Sequence, residues 1–170
     1  AASKLTNITG STLKAITIGG DQNFTMTGST TVKTIDASAN TGKTSLVLGA
    51  ADQTVTGGAG DDTIDIGANL TAADAIQGGE GTDTLKISAS GTVNGMASSA
   101  DVTAEFALSG GFEVIDIAST NDAATLALAN IAGVETVKAA ANTKTVAFTG
   151  DNANQTATSV AFTLNGESYS

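Results

Sequence analysis

Two nonapeptides concentrate the residues able to do chemistry, Gly57-Gly58-Ala59-Gly60-Asp61-Asp62-Thr63-Ile64-Asp65 and Gly78-Gly79-Glu80-Gly81-Thr82-Asp83-Thr84-Leu85-Lys86. Both follow the pattern Gly-Gly-x-Gly-x-Asp-x-apolar-x. Its glycines let the backbone take positive φ and turn carbonyl oxygens toward one point. The sixth residue, Asp62 or Asp83, adds negative charge there, and the eighth, Ile64 or Leu85, anchors the turn to a core. Carboxylates and carbonyls together make an all-oxygen environment. That suits Ca2+, which takes roughly six to eight oxygen ligands, and disfavours zinc or copper.

The two turns lie about one twenty-residue repeat apart, so they should stack on the same edge of a coil, about 4.8 Å from each other. Bare carboxylates about 5 Å apart repel by roughly 3 kcal/mol at an effective dielectric of 20. A Ca2+ ion between them reverses that sign. The expectation is therefore one shared site bridging Asp62 and Asp83, with calcium as an architectural staple.

Other constellations are weaker. Gly19-Gly20-Asp21 and Asn121-Asp122 read as exposed turns, and Asp61 and Asp65 as accessory or solvated acids. Ala37-Ser38-Ala39-Asn40-Thr41-Gly42-Lys43-Thr44 satisfies a relaxed phosphate-binding loop, but that chemistry needs a helix after the loop. The alternating stretch Ser45-Leu46-Val47-Leu48 predicts a strand instead, so nucleotide binding is rejected. Without His or Cys, Ser-His and Cys-His nucleophiles are impossible, and no enzymatic activity is expected.

The elements that must position the turns form an internal repeat. Sliding the chain by about twenty residues aligns six units, each a short strand, a turn and a second strand. Besides the two nonapeptides, the turns are 18–23, 37–42, 118–123 and 139–144. The strands that follow place Phe24/Met26, Leu46/Leu48, Ile64/Ile66, Leu85/Ile87, Leu126/Leu128 and Val146/Phe148 on one face, the period-two signature of a half-buried strand. The strands that precede the turns include Leu13-Lys14-Ala15-Ile16, Val32-Lys33-Thr34-Ile35 and Val134-Glu135-Thr136-Val137, with Phe112-Glu113-Val114-Ile115 assigned to the same set. One such unit cannot bury its own apolar face. Stacked units can, which predicts an all-β, parallel β-solenoid with coils of about twenty residues and calcium-binding Gly/Asp turns. The period widens over 88–111, read as an insertion or loop within one 1–170 solenoid segment, with 100–108 able to form a short helix.

Composition agrees with this reading. The 170 residues are 41 % hydrophobic but only 4 % aromatic, which leaves a core of small aliphatics. Proline, which would delete ladder hydrogen bonds, is absent. Seventeen acids against seven lysines give a net charge of -10, which argues against nucleic acid and for a hard cation as counter-charge. No run of 18 apolar residues is present to span a bilayer, so no membrane insertion is expected. Without cysteine there is no disulfide, and metal is the available staple. Neither end carries a cap, which suggests a piece of a longer protein.

The nonapeptides make the chain look like an RTX protein, the calcium-dependent class exported by bacterial type I secretion. The order of the two Gly-rich turns, a spacer, Gly110-Gly111-Phe112-Glu113-Val114 and Gly133-Val134-Glu135-Thr136-Val137 resembles the S-layer proteins of Gram-negative bacteria. These motifs cover roughly residues 55–137. The resemblance implies a secreted component of a cell-surface lattice that self-associates through calcium and is anchored to surface polysaccharide by other parts of the chain. It also implies metal ligands at Gly58, Gly60, Asp62, Gly79, Gly81 and Asp83. Two features depart from the pattern: two nonapeptides stand in place of a tandem array, and no C-terminal secretion segment is recognisable. A repeat module of an RTX adhesin, or of an ice-binding protein with wide Thr ladders, is the next reading. A calcium-roll tail of a secreted hydrolase is the third.

Overall fold

A computed structural model describes residues 3–6, 12–27, 32–49, 51–67, 74–88, 111–118, 124–127, 134–139, 146–149, 161–164 and 167–169. Every regular element among them is a strand: β1 (Ser3–Thr6), β2 (Ala15–Gly20), β3 (Phe24–Thr27), β4 (Thr34–Asn40), β5 (Thr44–Val47), β6 (Thr54–Thr56), β7 (Thr63–Asp65), β8 (Ala75–Gln77), β9 (Thr84–Ile87), β10 (Val114–Ile117), β11 (Ala124–Ala127), β12 (Thr136–Ala139), β13 (Val146–Thr149), β14 (Ala161–Leu164) and β15 (Glu167–Tyr169). A first sheet runs β1-β3-β5-β7-β9-β10-β12-β14-β15, a second β2-β4-β6-β8, and β11 pairs with β13. All pairings are parallel except β14 with β15. From β2 to β9 the chain alternates between the two larger sheets, and this alternation is the β-solenoid that the repeat predicts.

The alternating pattern explains the core. Met26, Leu46, Ile64, Leu85, Ile115 and Val137 are register partners in one inward row of the first sheet. Ile16, Ile35, Val55 and Ile76 form the matching row of the second. Met26, Ile35, Val55, Ile64, Ile115 and Val137 are fully buried, so the apolar faces of neighbouring coils close on one another. Each fully buried aliphatic contributes about 1.5–3 kcal/mol of burial, which a lone coil could not realise.

The expected turns 18–23 and 37–42 begin inside strands, because β2 runs on to Gly20 and β4 to Asn40, and two details of the expected alignment change as well. Met26, not Phe24, stands opposite Leu46, so the first coil is displaced by two residues. A shift of two keeps every side chain on its face, which is why the alternation alone does not reveal it. More consequentially, β10 and β12 do not join the strands that precede the turns. They stack on β9 in the first sheet, with Ile115 opposite Leu85 and Val137 opposite Ile115. Among the described residues no strand of the second sheet lies between β9 and β10. The widened stretch therefore changes the phase of the repeat by one strand. Residues 89–110, including the expected helix 100–108, lie outside the described residues, as do most of the expected turns 118–123 and 139–144.

On its outer face the first sheet carries Asp65, Lys86, Asp116 and Lys138 as successive register partners, a row of alternating charge. The Lys86 ammonium lies 3.6 Å from Asp65 Oδ2, and Asp65 Oδ1 also accepts from the Gly67 N–H and the Ser88 hydroxyl. A slip of one coil in this row would oppose like charges, so it favours the observed register. Lys86→Glu should lower stability by about 1 kcal/mol, less at high salt, as read by urea unfolding at two ionic strengths. Equal midpoints for the variant and the parent chain at low salt would exclude the ladder's role.

Candidate metal site in the turn column

The residue just before β7, β9, β10 and β12, together with Thr44 at the start of β5, occupies one column along the solenoid edge. From β5 onward that column reads Thr44, Asp62, Asp83, Glu113 and Glu135, so four successive coils place an acid at one position. The two nonapeptide aspartates are thus in register on adjacent coils, where the spacing puts them. Both are buried, Asp62 at 1 % and Asp83 at 0 % exposure.

The first three of these acids each reach toward the preceding coil. The Thr44 N–H donates to Asp62 Oδ1 (2.6 Å), the Asp62 N–H to Asp83 Oδ1 (2.7 Å), and the Asp83 N–H to Glu113 Oε2 (2.7 Å). One carboxylate therefore fills each of these three gaps. Such charge-assisted bonds to backbone donors satisfy amides that the turn would otherwise leave unpaired. The opposite edge repeats the device: the Gln53 N–H donates to Asp74 Oδ1 (2.6 Å), and Gln53 itself bonds the Gly49 N–H and the Val32 carbonyl.

The two gaps differ in their second oxygens. Asp62 Oδ2 accepts from the Gly58 N–H of its own turn (2.6 Å), and the Thr44 hydroxyl adds another bond. That carboxylate is held by donors on both oxygens. Asp83 Oδ2 is buried without a hydrogen-bond partner. Its turn opens differently, with Gly79 at φ 112° and Gly81 at φ 115°, a backbone region that other L-residues rarely adopt. A Cβ on Gly78 would overlap the Gly111 carbonyl oxygen and come 2.6 Å from Asp83 Oδ2. An orphaned carboxylate oxygen and a backbone carbonyl oxygen thus crowd one point that only glycine leaves open.

Electrostatics follow from this packing. Burial, more than anything else, pushes the Asp83 carboxyl up to about 7; the Asp62 N–H opposes the rise, and repulsion from Asp62, Glu113 and Asp61 adds to it. Burial also raises Asp62, against the bonds from Gly58 and Thr44 and the nearby Lys43 charge. A buried carboxylate oxygen with neither donor nor counter-charge, as at Asp83 Oδ2, is the condition an oxygen-seeking cation relieves. The residues around Asp83 fit Ca2+, whereas the donors around Asp62 already occupy its oxygens.

The other expected ligands are placed as follows. Gly58 is buried and its carbonyl accepts from the Glu80 N–H (2.9 Å). Gly60 lies under Gly81, with the Gly60 carbonyl oxygen 2.9 Å from where a Gly81 Cβ would be. Gly79 and Gly81 are exposed on the turn surface. Asp61, also exposed, accepts from the Thr82 N–H (2.9 Å) and ties the two turns together. The phosphate-loop look-alike ends in strand β5, and Asn40 Nδ2 in its turn donates to the Gly42 carbonyl (2.7 Å). Among the described residues no three acidic side chains gather into a carboxylate cage, so a cation here would depend on backbone carbonyls as well.

Glu113 and Gly111 are the residues the repeat pattern missed. Gly111 and Glu113 stand two positions apart, whereas Gly79 and Asp83 stand four apart, so a nine-residue template skips them. Their signal was Gly110-Gly111 followed closely by an acid and an apolar pair. Compared with known proteins, the chain matches no family model, no curated protein and no solved structure.

Proposed function

We propose that this chain is a calcium-stapled structural segment of a secreted bacterial surface-layer protein, a β-solenoid that takes part in an extracellular protein lattice. The observation that carries the calcium reading is Asp83 Oδ2, buried and without a partner beside a carbonyl oxygen in a column of acids. The surface-layer reading rests on the resemblance of residues 55–137, and on an acidic, cysteine-free composition that lacks His and Arg. Self-association is the proposed partnership, with surface polysaccharide held by other parts of the parent protein.

Calcium acts here on stability. An ion bound only by the stacked state stabilises it by mass action, about 2.7 kcal/mol at a free concentration 100 times Kd. Chelation should lower the melting temperature and return it on re-addition of calcium. Superimposable melting curves and circular dichroism with and without chelator would remove the staple. Electron microscopy of the calcium-loaded protein tests the lattice, and persistent monodisperse monomers would count against it. A threonine-surface module is less well supported, because the hydroxyl row Thr25, Ser45, Thr63, Thr84 runs beside the Asp65-Lys86-Asp116-Lys138 charge row.

A further inference from the structure

The distribution of donors along the acid column bears on where such a cation goes. The gap below Asp62 is saturated: both carboxylate oxygens take backbone N–H donors at 2.6 Å. The gap at Asp83 is not, because Oδ1 takes the Asp62 N–H while Oδ2 takes nothing. What faces that free oxygen belongs to the next coil. The Gly111 carbonyl oxygen shares the space beside Gly78, and Glu113, opposite Asp83 in register, holds the Asp83 N–H through Oε2. Gly111 itself takes φ 79° and packs against Gly79, so the third turn meets the second backbone to backbone.

We propose that the divalent-cation site lies one coil beyond the nonapeptide pair, between the turn 78–83 and the turn 111–113, with Asp83 Oδ2, the Gly111 carbonyl and the Glu113 carboxylate as its protein donors. The inference rests on the calcium reading above and changes its place and consequence. Strand β10 pairs with β9 although a long stretch of chain separates Ile87 from Val114, and closing so long a segment costs chain entropy. Its arrival also sets Glu113 beside Asp83, an unfavourable approach of like charges. A cation between the two turns cancels that repulsion at the moment the segment closes. It is thus a clasp that docks β10, and β12 stacked on it, onto the first four coils. The inward anchor of the arriving turn is Phe112, buried at 6 % exposure within the core.

Calcium titration calorimetry on the full chain tests the location, with Asp83→Asn, Glu113→Gln, Asp62→Asn and the exposed control Glu80→Gln. Asp83→Asn and Glu113→Gln should each weaken calcium binding tenfold or more, and Glu80→Gln less than threefold. Amide hydrogen exchange on the unmutated protein is the second readout and does not depend on any variant folding. Added calcium should slow exchange at Glu113 and in β10 and β12 more than at Thr44 and in β5. Loss of binding in Asp62→Asn with Glu113→Gln unaffected would overturn this location while leaving the calcium reading intact, as would protection confined to β5 and β7. No calcium binding by the unmutated chain would overturn both.

Discussion

Gly78→Ala should destabilise the protein by about 3 kcal/mol or more, the behaviour of a methyl group forced against backbone that cannot retreat. The added Cβ would overlap the Gly111 carbonyl oxygen and stand 2.8 Å from Asp83 Cβ. Either neighbour could move only by separating the turn before β9 from the turn before β10, which are tied by the Val114 N–H to Asp83 carbonyl bond (3.0 Å). Gly57→Ala meets the same obstacle one coil earlier, against the Gly78 carbonyl oxygen, and should behave alike. Gly19→Ala is the contrast: its Cβ would find Ala39 Cβ at 3.5 Å, an ordinary contact in strand β2, and the cost should stay below about 1 kcal/mol. Urea unfolding of the three variants decides the matter. If Gly78→Ala lay within 1 kcal/mol of Gly19→Ala, the close stacking of the turns described here would be wrong.

These glycines show what a sequence can and cannot convey about this fold. The repeat and its period-two strands predict stacked parallel coils, because no twenty-residue unit can bury Leu46 or Ile64 alone. Strand membership after residue 88 was not legible. Val32-Lys33-Thr34-Ile35 and Phe112-Glu113-Val114-Ile115 have the same alternation, and only the path of the intervening chain decides which sheet the latter joins. The register of β3 hid for a related reason, since a two-residue shift exchanges Phe24 for Met26 without turning any side chain outward. At the site, spacing correctly juxtaposes Asp62 and Asp83. It does not say where their oxygens point. A carboxylate in a glycine turn can cap amides or hold a cation. The choice depends on whether an N–H such as that of Gly58 is within reach, which follows from backbone torsions that Gly-Gly leaves open.

Those torsions lead to the pH dependence of the calcium-free protein. In the folded state burial raises the Asp83 carboxyl from its ordinary 3.8 to about 7, so between these limits the folded chain binds the extra proton. Stability then falls as pH rises from about 4 to about 7 and levels off above, the reverse of the usual salt-bridged carboxylate. Asp62, also raised, adds in the same direction. So large a rise would correspond to about 4 kcal/mol as a ceiling, and solvent screening and relaxation reduce the expected effect to about 1–2 kcal/mol. Asp83→Asn isolates the cause. The amide keeps an oxygen for the Asp62 N–H and offers an N–H toward the Gly111 carbonyl oxygen, without charge. In chelator at pH 8 the variant should be more stable than the parent chain by that 1–2 kcal/mol, and near pH 4 the two should converge. With saturating calcium at pH 8 the order reverses, because only the parent carboxylate can hold the ion. A variant less stable than the parent in chelator at pH 8 would mean that the buried charge is compensated by groups other than a cation, and the physical case for a metal at Asp83 would go with it.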